Sequence, residues 1–137
     1  MTPMEHSRPE RYRQKMQVVV TRLESVPKTI KTEIEVNAML YCVQVAIDAA
    51  MDIAAMLVKD IGHEVSDDYH NIDALVKRKI FPAALGEELK RLNGLRNAIM
   101  HKYNTFEEET VVEHIQDIKK TVGQFLDKVE EKLHALP

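Results

Sequence analysis

The stretch Arg96-Asn97-Ala98-Ile99-Met100-His101-Lys102-Tyr103 holds the side chains best suited to chemistry in this chain. Arginine supplies a planar fork that meets phosphate oxygens two at a time. Histidine moves protons near neutral pH. Tyrosine adds a hydroxyl and a stacking face. Arginine, histidine and tyrosine together are the smallest set that cleaves a phosphodiester without a metal, supplying an acid or base and a stabiliser for the charge that grows on phosphorus. The spacing imposes a geometric condition. On an ideal helix five residues turn about 500°, so Arg96 and His101 point roughly 140° apart. Arg96 and Tyr103 share a face. Bringing Arg96 and His101 together therefore requires the helix to loosen near Met100, or a second copy across a dimer. A plainer reading also fits: Arg, His and Lys gather at a helix C-terminus because the dipole favours cations there.

A second polar feature lies upstream. Gln44, Asp48 and Asp52 follow one another at i, i+4 and i+8, so they stack on one face of a segment that is otherwise nearly all apolar. Unpaired carboxylates are costly to bury, so this stripe must meet water, a cation or a polar cleft. It is either a solvated ridge or a pair of carboxylates, Asp48 and Asp52, that orient a cationic residue from behind. The second reading predicts that one of them shares a cleft with Arg96. No neighbouring histidine or third carboxylate completes a metal-binding bundle pattern, so no metal and no cofactor are expected. The scattered His6, His63, His70, His114 and His134 read as surface or structural residues.

The elements that carry these residues are helical. With four Gly and five Pro in 137 residues and no period-two alternation, helix is the dominant local signal. Tyr12, Met16, Val19, Leu23 and Val26 form the apolar face of a first helix that Pro27 ends. Thr32-Glu33-Ile34-Glu35 has the form of a capping box. It opens a helix running to about Ile61, with Gly62 as a left-handed stop. At 1.5 Å per residue this helix is ~43 Å long and asks for something to pack along it. Asn71 can cap a short helix from Ile72 to Lys79. Pro82 stands where a first-turn proline is tolerated. Leu85, Leu89, Leu92, Leu95 and Ile99 make the face of the next helix. Thr105-Phe106-Glu107-Glu108 is a second capping box, opening a helix with Val111, Ile115, Ile118, Val122, Phe125, Val129 and Leu133 on one side. Four main helices and one short one, joined by short loops, predict an all-α, up-and-down antiparallel bundle, with residues 1–137 forming a single domain.

Composition narrows the function classes. The 19 Lys+Arg against 22 Asp+Glu give a net charge of -3, which argues against a protein that coats nucleic acid but leaves room for a local RNA site. The single cysteine, Cys42, excludes a disulfide framework and zinc ribbons and fits a reducing compartment. Ala38 to Val58 approaches bilayer length, yet Asp48 and Asp52 interrupt it, and each Asp near a bilayer centre costs about 2.5–3.5 kcal/mol. It reads as a buried helix of a soluble protein. The N-terminal residues carry no secretory pattern, so a cytoplasmic location without membrane attachment is expected.

The block Arg96-x4-His101-x-Tyr103 matches the R-x4-H-x-Y motif of HEPN-fold proteins, and the chain resembles the HepT-like toxins among them. The helix AMLYCVQVAIDAAMDIAAMLV is similar to that family's second helix. The run LVKRKIFPAALGEELKRLNGLRNAIMHKYNTFEEETVVEHI is similar to its motif region, with Met100 where the family often has Val. The resemblance covers roughly residues 9 to 133. It implies a homodimeric helical bundle with the motifs of two subunits lining an interfacial cleft. It implies a metal-independent endoribonuclease toxin that leaves a 2′,3′-cyclic phosphate, with Arg96 and His101 catalytic. Asn97, Lys102 and Tyr103 would bind RNA phosphate. The partner it implies is an MntA-like nucleotidyltransferase antitoxin that transfers AMP from ATP to Tyr103. Two other classes stay open: a non-catalytic helical partner of a minimal nucleotidyltransferase that binds nucleotide or phosphate, and a structural bundle.

Overall fold

In the computed structural model, residues 8–101 and 108–134 are described. They form five helices: α1 Arg8–Glu24, α2 Glu33–Asp60, α3 Asp68–Lys77, α4 Ala83–His101 and α5 Glu108–Leu133. No strand occurs among the described residues. The long α2 is the centre of the bundle and packs against all four other helices.

The start of α2 is fixed by the capping box. The Thr32 hydroxyl accepts the Glu35 N–H at 3.2 Å, and the Glu35 carboxylate accepts the N–H groups of Lys31 and Thr32. Those bonds hold the Glu35 carboxyl below its usual range. At the other end Gly62 takes a positive φ of 84°, the conformation glycine adopts at least cost. By length and composition α2 is apolar enough to cross a bilayer. Its side chains from Met39 to Val58 are instead largely buried against the other helices, Cys42 among them. It is a core helix.

α1 crosses α2 with Tyr12, Val19 and Leu23 buried, and Val26 follows just past its end. The Tyr12 hydroxyl donates to Asp60 at the far end of α2, which locks the two helices in register. Burial and that carboxylate push the Tyr12 phenol far above its ordinary range, so it stays a neutral donor.

The short helix begins earlier than its sequence suggests. Asp67, not Asn71, is the N-cap, its carboxylate accepting the His70 N–H at 2.9 Å. Asn71 lies inside the helix, where its buried side chain accepts from Ser66 N–H and donates to Ser66 C=O. Both residues are good caps. The outcome is set by Asn71 turning back to tie down the preceding loop. α4 follows Pro82, whose carbonyl accepts the Gly86 N–H. A Cβ on Gly86 would fall 2.5 Å from Val76 Cγ2, so glycine is what lets α3 and α4 approach. Phe81, between α3 and α4, meets Phe125 of α5 edge to face, with ring centroids 5.9 Å apart. Along α5, Val111, Ile118, Val122, Phe125, Val129 and Leu133 are buried as their spacing requires, with Ile115 partly covered. Thr105 of the second capping box lies outside the described residues.

Candidate phosphate-binding site at the end of the fourth helix

Arg96 sits four residues before Met100 on α4 and faces α2 and α3, with its side chain 17% exposed. Each nitrogen of its guanidinium meets a different element. Nε lies 2.8 Å from Asp48 Oδ1 of α2. The Nε–H is not aligned for a hydrogen bond, so this contact is one of charge. Nη2 donates to Asp68 Oδ2 of α3 at 3.3 Å. Nη1 points to the Met100 thioether, 3.0 Å away. A cation this little exposed needs partners, and two carboxylates supply them.

The electrostatics are asymmetric. Burial raises the Asp48 carboxyl above its ordinary pKa; Arg96 opposes that shift, and Asp52 and Asp68 add to it. With both contacting carboxylates ionised, the three groups Arg96, Asp48 and Asp68 carry a net negative charge. Asp52, one turn along α2, pairs with Lys15 of α1 at 3.1 Å. Gln44, one turn before Asp48, is partly buried. The stripe thus divides, with Asp48 turned to Arg96 and Asp52 to α1.

Asp68 carries no periodic or motif signal. It is one of several polar residues between Gly62 and His70, and only the packing of α3 on α4 brings it to a residue 28 positions away. The same packing sets Tyr69 against α4, where a Cβ on Gly94 would lie 3.6 Å from the Tyr69 hydroxyl. Asn93, one turn before Arg96, is 2% exposed, and its Oδ1 has no hydrogen-bond partner among the described residues.

Among the described residues of the motif, the ion pairs with Asp48 and Asp68 belong to Arg96. Asn97 is partly buried, Ile99 is core, and His101 is exposed on the last turn of α4. The helix remains α-helical through His101. Within one chain, therefore, no loosening at Met100 turns His101 toward Arg96. Lys102 and Tyr103 lie outside the described residues. A separate groove of about 890 Å³ runs between α4 and α5, floored by Leu92, Leu95, Val111 and Ile118 with Arg91 and Lys120 among the residues that line it. No set of three His, Cys, Asp or Glu side chains spaced to hold a metal occurs among the described residues.

A five-helix bundle with a carboxylate-held arginine on its fourth helix defines a class of protein that the comparisons make specific. The family profile described as Ribonuclease HepT-like matches residues 14–129. The chain belongs to the HepT-like ribonuclease family. An Archaeoglobus fulgidus relative bearing the name "Putative RNase" is 40% identical over 129 residues, spanning 94% of this chain and 98% of that one. Among solved structures, the tri-AMPylated HEPN toxin of Shewanella oneidensis in complex with its MNT antitoxin superposes with a TM-score of 0.79 at 18% identity, covering 88% of this chain and 96% of that chain. YutE, a Bacillus subtilis cytosolic protein of unknown function, superposes with a TM-score of 0.81 at 16% identity, covering 96% of this chain and 94% of that chain. These likenesses establish the HEPN helical fold.

Proposed function

We propose that this protein is a metal-independent endoribonuclease toxin, active as a cytoplasmic homodimer and silenced by an MntA-like nucleotidyltransferase that transfers AMP to Tyr103. The observation that carries the reading is Arg96, held by Asp48 and Asp68 inside an intact R-x4-H-x-Y motif of a HepT-like ribonuclease chain.

The chemistry follows from the residues. His101 takes the proton of an RNA 2′-hydroxyl as that oxygen attacks the adjacent phosphorus. The bond from phosphorus to the 5′-oxygen breaks, and the leaving oxygen takes that proton back from His101. The products are a 2′,3′-cyclic phosphate and a 5′-hydroxyl. Arg96 neutralises the charge that grows on the phosphoryl oxygens. Asn97 and Lys102 hold neighbouring phosphates. Because α4 carries Arg96 and His101 on diverging faces, the His101 that serves one Arg96 comes from a second copy. AMP transfer joins the Tyr103 oxygen to the α-phosphorus of ATP and releases pyrophosphate. The phosphodiester then carries negative charge where RNA phosphate must bind, which closes the site. The AMPylated, antitoxin-bound state named for the Shewanella oneidensis HEPN toxin supports this regulation.

The test is cleavage of RNA by purified protein in excess EDTA. Wild type should produce 2′,3′-cyclic ends, and Arg96→Ala and His101→Ala should each lose at least about a hundredfold in rate while keeping the wild-type helical circular-dichroism spectrum at the assay temperature. RNA or nucleotide binding with no cleavage would favour the non-catalytic partner reading instead. In a second arm, wild type and Tyr103→Phe are incubated with ATP and the nucleotidyltransferase and weighed intact. AMP should appear on wild type, and equal AMP on Tyr103→Phe would remove this tyrosine as the acceptor.

A further inference from the structure

We propose that Asp68, on the first turn of α3, is a positioning residue for Arg96: together with Asp48 it fixes the guanidinium so that the Nη1 edge, covered by the Met100 thioether, is the edge offered to RNA phosphate. The inference rests on the reading of Arg96 as the phosphate-holding group.

The geometry assigns the edges. Asp48 takes the Nε side at 2.8 Å and Asp68 takes Nη2 at 3.3 Å, so two of the three nitrogens face carboxylates from two different helices. The third, Nη1, faces a sulfur at 3.0 Å. A thioether is a weak acceptor, and Met100 is 46% exposed on a flexible stem, so a phosphate oxygen displaces it at little cost. A carboxylate on either of the other edges is far harder to displace, being ion-paired with the guanidinium. An arginine side chain has many rotamers, and one carboxylate leaves it free to swing about that contact. Two, anchored on α2 and α3, set both the position and the plane of the fork. The clamp is also built to last. Asp67 caps α3 directly before Asp68, and Tyr69 directly after it packs on α4 near Gly94.

A clamp made of carboxylates has a kinetic signature. Its negative charge opposes RNA binding while its geometry serves the transition state. Removing Asp68 should therefore lower kcat and leave KM unchanged or lower, a split that loss of folding does not produce.

The experiment compares wild type, Asp68→Ala and Asp68→Asn by two readouts. The first is the nitrogen-15 NMR spectrum of the arginine side chains, with the Arg96 signals assigned from Arg96→Lys. In wild type the Arg96 Nη protons should be resolved by restricted rotation. In Asp68→Ala they should average, and in Asp68→Asn, which keeps an acceptor oxygen, resolution should be largely recovered. The second readout is RNA cleavage: kcat should fall about tenfold in Asp68→Ala, with KM no higher than wild type and partial rescue in Asp68→Asn. Unchanged Arg96 signals in a folded Asp68→Ala would overturn the proposal, as would an unchanged kcat. Should wild type show no cleavage at all, the ribonuclease reading falls, while the NMR arm still decides whether Asp68 holds Arg96.

Discussion

At the scale of single residues, the cluster around Arg96 trades stability for placement. The Asp48 carboxyl has its pKa raised chiefly by burial, in spite of the arginine beside it. A raised folded-state pKa means the native protein favours the protonated form. The contribution to stability is then full below the ordinary carboxylate range and is lost as pH rises through the folded value. At neutral pH the ionised Asp48 is therefore a net cost to folding that its hold on Arg96 only partly offsets. Asp48→Asn should melt no lower than wild type at pH 7, and the difference between the two should close below about pH 4, where the wild-type carboxyl is protonated too. RNA cleavage by Asp48→Asn should fall about tenfold, since Asp68 alone then orients the guanidinium. Paired melting curves and cleavage rates check both halves, and a variant that melts lower at pH 7 would contradict the sign. The two carboxylates also differ in how they can be found. Asp48 is legible in the sequence because a charge at i+4 between apolar turns breaks a strong pattern. Asp68 sits among Ser66, Asp67, His70 and Asn71, where polar residues are the norm, and it acquires meaning only through a tertiary contact.

At the scale of elements, α1, α4 and α5 follow from periodicity because each has one apolar face to bury, and α2 follows from its capping box and its nearly continuous apolar run. The short α3 has Ile72 and Leu75 as its fully buried apolar side chains, too few to set a phase, so its start depends on which of two competing caps wins. The end of α4 shows the reverse case. The motif's types and spacing leave open whether the helix loosens at Met100; the observed helix continues through His101, which turns a question about local structure into one about assembly. α2 gives the cleanest energetic test. The Thr32 hydroxyl caps it at 3.2 Å, roughly 24 Å of helix from Asp48. Thr32→Ala should cost about 1 kcal/mol and lower the melting temperature by about 3–5 °C, read by circular dichroism. The reciprocal contact has its own pH dependence. The Glu35 carboxyl is held below its usual range by the Lys31 and Thr32 N–H groups, so its contribution is complete at neutral pH and is lost as pH falls through that lowered value. Cleavage rate should not change in Thr32→Ala, because the cap touches nothing near Arg96.

At the scale of the whole molecule, one chain already covers most of α2 with the other helices, so the length of that helix alone does not demand a partner. The stronger demand comes from α4. Arg96 turns inward to α2 and α3 while His101, about 140° away on an ideal helix, is exposed. A two-fold axis near the end of α4 would bring the His101 of each copy toward the Arg96 of the other, and closed two-fold symmetry is the commonest way for identical chains to share a site. Sedimentation should then give twice the chain mass at micromolar concentration. A mixing experiment separates a shared site from two independent ones. Arg96→Ala and His101→Ala are each inactive alone. When they are unfolded together and refolded, about half of the dimers carry one of each chain, and in those one of the two shared sites pairs an intact Arg96 with an intact His101. Activity should return to about a quarter of the wild-type level. If each chain instead supplied both groups to its own site, every site in the mixture would lack one of them, and the mixture would stay as inactive as either variant.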